Sequence, residues 1–388
     1  MLFTNVIFNH SIFALNSLKC MGDGYNYSKI KVEKIRGRYI NNAHIYGFIN
    51  SLKGSCRLEM LGESVDKNPI YVMNVGQGPN RILMWSQMHG NESTTTKAVI
   101  DLLHFLNNGT TLANDLLSKV TLKIIPILNP DGAIAYTRVN ANNMDLNRDA
   151  LNLTQPESRF LRAVFNDFRP HFCFNLHDQR TIFNVGDSNK PATVSFLAPA
   201  FDEERNTSPT REKAMRIIVA MNQALQKIIP GQVGRFDDSF NPNCVGDSFQ
   251  MEKVPTILFE AGHYQEDYQR EKTREFICTA LYKAMYTIGN DETENYELDK
   301  YLEIPENKKL FFDIIIENAN ILDSDLGENE CLGILFKETL QHDKIVFIPE
   351  IAEKGFKPNS FFGHKIVDCL KEEDLNWLRR ERVLESMD

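Results

Sequence analysis

The stretch RILMWSQMHGNES, Arg81 to Ser93, decides how this chain reads. Its first half is a short run with a continuous apolar centre, as expected of a strand covered on both faces. The apolar pattern stops abruptly at His89-Gly90-Asn91-Glu92. Thr94 to Leu106 follows, with Val99, Leu102, Leu103 and Leu106 at helical spacing and Ser93 or a neighbouring Thr available as cap. A strand, a polar turn and a helix therefore succeed one another within 26 residues.

Outward from this unit the alternation repeats. CRLEMLGESV and NPIYVMNVG read as extended runs on the N-terminal side. VTLKIIPIL, HFCFNLH, TVSFLAP and PTILFEAG read as later strands, with helices over Glu157–Phe168, Arg211–Ile229 and Arg270–Ile288. Apolar strands alternating with amphipathic helices predict an α/β fold, a parallel or mixed sheet with helices on both faces, over residues 40–289. Residues 300–388 break into short β-rich pieces and are expected to form a small C-terminal domain. Residues 1–39 read as an N-terminal segment, partly disordered, whose first 20 residues make only a weak signal-peptide candidate; Met21 is an alternative start.

Bulk composition narrows the function classes. Lys+Arg 43 against Asp+Glu 52 gives a net charge of −9, which lacks the field of a dedicated nucleic-acid binder. No run of 18 apolar residues marks a membrane span. The seven cysteines are scattered without a CxxC pair, so neither a disulfide scaffold nor a cysteine zinc knuckle is expected. A cytoplasmic location is the default expectation.

In open α/β sheets ligands gather beyond the carboxyl ends of the strands. The polar residues there are His89 and Glu92, then Asn129 and Asp131, His177 and Asp178, and Glu260 with His263 and Tyr264 beyond it. His89, Glu92 and His177 supply two imidazoles and a carboxylate, a set suited to one catalytic Zn2+ with a position left for water. Glu260, on a rigid strand end, is placed to move a proton between that water and a leaving amine. Arg138 and Arg148 are the only cations of NPDGAIAYTRVNANNMDLNRDA; one suits a developing oxyanion, the other a substrate carboxylate.

These residues together resemble the zinc metallocarboxypeptidase family. Its His-x-x-Glu and later His match His89, Glu92 and His177, and its D-x-N-R element appears as Asp145-Leu146-Asn147-Arg148. The resemblance, over Val75 to Ile288, implies an α/β sheet with helices on both faces. It implies that Asn147 and Arg148 grip a terminal carboxylate, that Arg138 polarises the scissile carbonyl, and that Glu260 is the general base. The implied activity is zinc-dependent hydrolysis of an amide bond next to a free C-terminal carboxylate, on a peptide or acyl-amino-acid substrate. Three departures stand out: Asp149 follows Arg148, Asp178-Gln179-Arg180 follows His177, and FEAGHYQEDYQRE surrounds Glu260. The last leans toward the related aspartoacylase and succinylglutamate desuccinylase group, which gives an N-acyl-amino-acid amidohydrolase as the alternative, alongside a cell-wall peptide amidase. Tyr264 and Tyr268 are candidates for the family's capping tyrosine by proximity only. Asp237, Asp238 and above all Asp247 are candidates for an acidic side-chain pocket.

Overall fold

The computed structural model describes residues 26–381 and 383–386. The weak leader candidate, Met21 and Cys20 lie outside the described residues. The framework is one eight-stranded sheet of β1 (Cys56–Glu63), β2 (Pro69–Val75), β3 (Asn80–Ser86), β4 (Val120–Ile125), β5 (Phe172–Asp178), β6 (Val194–Leu197), β7 (Val233–Arg235) and β8 (Thr256–Ala261). Its order is β1-β2-β4-β3-β5-β8-β6-β7. The four central strands run parallel, flanked by an antiparallel hairpin, β1 and β2, on one side and by antiparallel β6 on the other.

The apolar run that begins at Arg81 becomes β3, and its alternation explains both layers. Ile82 and Met84 face the larger core, with helices Thr94–Leu106, Pro209–Leu225 and Glu271–Gly289. Leu83 and Trp85 face the opposite core, with helices Pro156–Phe168 and Val245–Met251. All four side chains are fully buried. A strand covered on both faces has no polar side to show, hence the unbroken hydrophobic text. Helices on both faces of a mixed sheet are the expected architecture.

Residues 26–39 pack onto the larger core through Tyr27, Ile30 and Ile35. Tyr27 donates to Asp101, which also holds the buried Arg274 guanidinium at 2.5 Å. Beyond residue 310 a separate four-stranded sheet forms from β9 (Phe311–Glu317), β10 (Cys331–Gln341), β11 (Lys344–Phe356) and β12 (Phe362–Asp368), in the order β11-β10-β9-β12. Helix Glu372–Arg380 covers it through Leu378. The sequence reading found no such helix. Its acidic first turn and basic last turn suit the helix dipole, but only one of its residues is buried.

No helix among the described residues is long and apolar enough to cross a membrane. The six described cysteines are all free thiols.

Candidate metal centre and active-site cavity

Strand β3 lies between β4 and β5, so successive crossovers leave it in opposite directions and a crevice opens at its carboxyl end. His89 and Glu92 sit in the turn that leaves it. That turn is fixed from several sides. Gln87 adopts a left-handed conformation (φ 44°), and its side-chain amide donates to the carbonyls of Ile40 and Gly90. Gly90 abuts Gly132 so closely that a Cβ there would lie 1.9 Å from the Gly132 carbonyl carbon. Asn129 completes the lock, accepting from Gly132 N–H and donating to the Met88 carbonyl. Asp131 turns away, taking hydrogen bonds from Ser64, Asp66 and Asn68.

His177 is the penultimate residue of β5 and pairs in register with Glu260 on the adjacent parallel β8. His89, Glu92 and His177 converge, with one ligand atom from each lying within 4.8 Å of the others. His89 Nδ1 and His177 Nδ1 are 3.1 Å apart, and each lies 2.9 Å from an oxygen of Glu92. All three residues are buried.

His89 Nε2 faces Asp145 Oδ1 at 3.0 Å. A proton held there leaves the Nδ1 lone pair free for a cation, the usual outer carboxylate–histidine arrangement. Two imidazole nitrogens and a carboxylate crowding one point fit a single divalent ion of borderline softness. Burial works against the charged form of Glu92, but His89 and His177 hold its carboxyl well below the usual range.

Asp178, next to His177, was expected only as a polar strand end. It accepts the backbone N–H groups of Thr94 (2.8 Å) and Thr95 (3.2 Å). Ser93 makes no capping bond of its own. A carboxylate from β5 thus satisfies the orphan donors of the helix that follows Glu92, a function worth roughly 0.5–2 kcal/mol when a cap supplies it.

The three residues open onto a cavity of about 580 Å³ that also takes in Arg138, Asn147, Arg148, Asp247 and Glu260. The Glu260 side chain makes no hydrogen bond to a described residue. Burial first, then the nearby Glu92 and Asp178 carboxylates, raise its pKa well above the ordinary value. Arg138 is held by Asp145 at 3.0 Å and lies 3.6 Å from Glu92, with nearly half its side chain exposed. Asn147 accepts from Val245 N–H, which pins the Asp145–Arg148 turn to the helix Val245–Met251. Among the described residues the Arg148 side chain donates only to its neighbour's carbonyl and to Cys244 Sγ. Asp149, the extra negative charge beside it, is buried and spent on Thr154 and Gln155. Asp247 lines the cavity, and burial pushes its pKa up to about 6. Asp237 also lines it, whereas Asp238 is paired with Arg211 and Arg205.

Two expectations are corrected. His263 and Tyr264 do not line the cavity. The chain turns after Gly262, whose missing side chain admits the Ala192 carbonyl, and carries His263 between the rings of Tyr268 and His364. Tyr264 packs on Phe276 in the larger core. Tyr268 donates to Asp313 of the C-terminal sheet, so neither tyrosine is a cap. No tyrosine among the described residues lines the cavity.

Residues 43–181 match the zinc carboxypeptidase family profile. Carboxypeptidase 2 of Trichophyton rubrum is 33% identical over 100 residues, covering 25% of this chain and 19% of that protein. Carboxypeptidase SOL1 of Arabidopsis thaliana is 31% identical over 188 residues, covering 40% of this chain and 38% of that protein. The chain thus spans about a fifth to two fifths of these curated relatives. Among solved structures, a metallo-carboxypeptidase from Burkholderia cenocepacia superposes with a TM-score of 0.52 at 17% identity, over 65% of this chain and 68% of that one. Carboxypeptidase A from Helicoverpa armigera gives 0.50 at 14% identity, over 74% and 80%. The chain has the fold of the zinc carboxypeptidases, with a His-Glu-His cluster able to hold one metal ion at the switch point of its sheet.

Proposed function

We propose that this protein is a zinc-dependent carboxypeptidase, hydrolysing an amide bond next to a free C-terminal carboxylate. The observation that carries the reading is the convergence of His89, Glu92 and His177 on one point, in a cavity shared with Glu260, Arg138 and Arg148. His89, Glu92 and His177 would hold the ion. When bound, zinc supplies Lewis acidity and lowers the pKa of water.

The remaining work falls to the chain's own residues. Glu260 takes a proton from the attacking water, whose oxygen joins the carbonyl carbon. It returns that proton to the amine nitrogen as the C–N bond breaks. Arg138 donates to the carbonyl oxygen as charge develops there. Arg148, with donors left over from its two contacts, and Asn147 bind the terminal carboxylate. Asp247 forms the end of the side-chain pocket and favours a basic or amino-bearing residue.

An acyl-amino-acid hydrolase would use the same residues. Assay of the zinc-loaded protein on free-carboxylate peptides, on their C-terminal amides and on N-acyl amino acids separates the two. Release of the last residue from free peptides alone is the expected result. Activity confined to N-acyl amino acids, or indifference to amidation, overturns it.

A further inference from the structure

The cavity has a second cationic corner that the scheme above leaves unused. Arg180, just beyond the end of β5, lines the cavity with its side chain 28% exposed. All its hydrogen bonds to protein pass through Nη1, to the Asn91 carbonyl (2.9 Å), the Tyr136 hydroxyl (3.2 Å) and Glu338 Oε2 (2.8 Å). Nε and Nη2 have no partner among the described residues. A guanidinium carries five N–H donors, so most of this one is uncommitted.

Glu338 offers an internal comparison. Arg38 engages the same carboxylate with Nε (3.1 Å) and Nη2 (2.9 Å), a two-pronged fork, and also donates Nη1 to Thr94. Arg38 is 2% exposed and wholly structural. Arg180 is tethered to that carboxylate by one nitrogen, rests 5.4 Å from the centre of the Tyr136 ring, and borders both the large cavity and a small one beside Glu338. An arginine needed only as a brace would be expected to use its fork, as Arg38 does.

The tether comes from the C-terminal sheet. Glu338 lies on β10, and its side chain is 8% exposed. Burial opposes its charge, but Arg38, Arg180 and Arg270 hold its pKa down to about 2. It therefore stays anionic and keeps Arg180 in place. Lys309, in the segment entering that sheet, also lines the cavity.

The carboxylate-gripping corner is built from Asp145–Arg148 and Asn243–Val245, and Arg180 shares no hydrogen bond with it. A substrate whose terminal carboxylate is held there, whose C-terminal side chain points to Asp247 and whose scissile amide lies at His89, Glu92 and His177 has its acyl half left to meet a cation. We propose that Arg180, anchored by Glu338, binds a carboxylate on the acyl half, so that the enzyme prefers an acidic residue on the amino side of the cut. This rests on the carboxypeptidase reading above.

The test compares two isosteric peptides, acetyl-Ala-Glu-Lys and acetyl-Ala-Gln-Lys, on the full-length, zinc-loaded protein. A charge-assisted contact predicts a kcat/KM ratio of about tenfold in favour of Glu. Arg180→Gln brings the ratio to about one, and Arg180→Lys keeps part of it. Glu338→Gln lowers the ratio with zinc stoichiometry unchanged. If Arg180→Gln lowers the melting temperature but leaves the ratio intact, Arg180 is only a brace and the inference is wrong.

Calorimetric binding of both intact peptides to Glu260→Gln separates the two layers of the argument. Arg180-dependent preference for the Glu peptide without cleavage by the parent protein overturns the carboxypeptidase reading and leaves Arg180 only as a binding group for the acidic side chain. Cleavage without charge preference does the reverse. Neither cleavage nor charge-dependent binding overturns both.

Discussion

The cavity has two kinds of wall. One is strand-borne: His177 and Glu260 are register partners on β5 and β8, buried and rigidly placed. The other is loop-borne: Arg138, Asn147, Arg148 and Asp247 come from turns and a short helix that lean on one another through single hydrogen bonds. The strand wall is positioned by backbone ladders that no single side chain can disturb. The loop wall is positioned by side chains, so under the proposed function it is where substrate choice can change without loss of the reaction.

Substitutions rank along this divide. Glu260→Gln is the severest, lowering kcat by about 10²–10⁴-fold with zinc content unchanged, because it removes the proposed proton carrier while keeping its shape. Retained turnover at full metal occupancy would put the base elsewhere. Arg138→Ala, with kcat down about 10²–10³-fold and KM little altered, marks loss of a transition-state donor; a pure KM effect would make it a binding residue instead.

Arg148→Ala comes next, raising KM about tenfold or more for free-carboxylate peptides and little for their amides. Equal damage to both would show that the arginine only supports Cys244 and its turn. Asp247 gives the mildest effect. Its pKa of about 6 means the side chain is charged above that pH and neutral below it. Preference for C-terminal Lys over Gln should therefore fall as pH drops through about 6, and Asp247→Asn should remove both the preference and its pH dependence. A preference that survives in Asp247→Asn would assign it to Asp237 or to another group.

What the sequence disclosed follows the same division. Strand ends were readable because an apolar run that stops at a polar residue locates that residue in space. His89, Glu92, His177 and Glu260 all belong to this class. Residues placed by sequence proximity alone fared worse. His263 and Tyr268 follow Glu260 in the chain, but the turn at Gly262 carries them to the C-terminal sheet. Contacts across long sequence gaps left no trace at all. Nothing in the local text around Glu338 announces a partner 158 residues earlier, and Asp178 caps a helix 84 residues before it. The helix Glu372–Arg380 was missed for a related reason, since a helix burying one side chain has no apolar stripe to read.

Asp178 has a consequence for how the molecule opens. The same carboxylate that accepts from Thr94 and Thr95 lies 3.5 Å from Arg38, which reaches Glu338 in the C-terminal sheet. The strand that carries His177, the helix after Glu92, the segment before β1 and the appended sheet are thereby joined through two carboxylates and one guanidinium. Fraying any one of them strands a buried charge in the others. Local opening here should be suppressed, and the amides of Thr94 and Thr95 should exchange with solvent only when the whole catalytic unit unfolds.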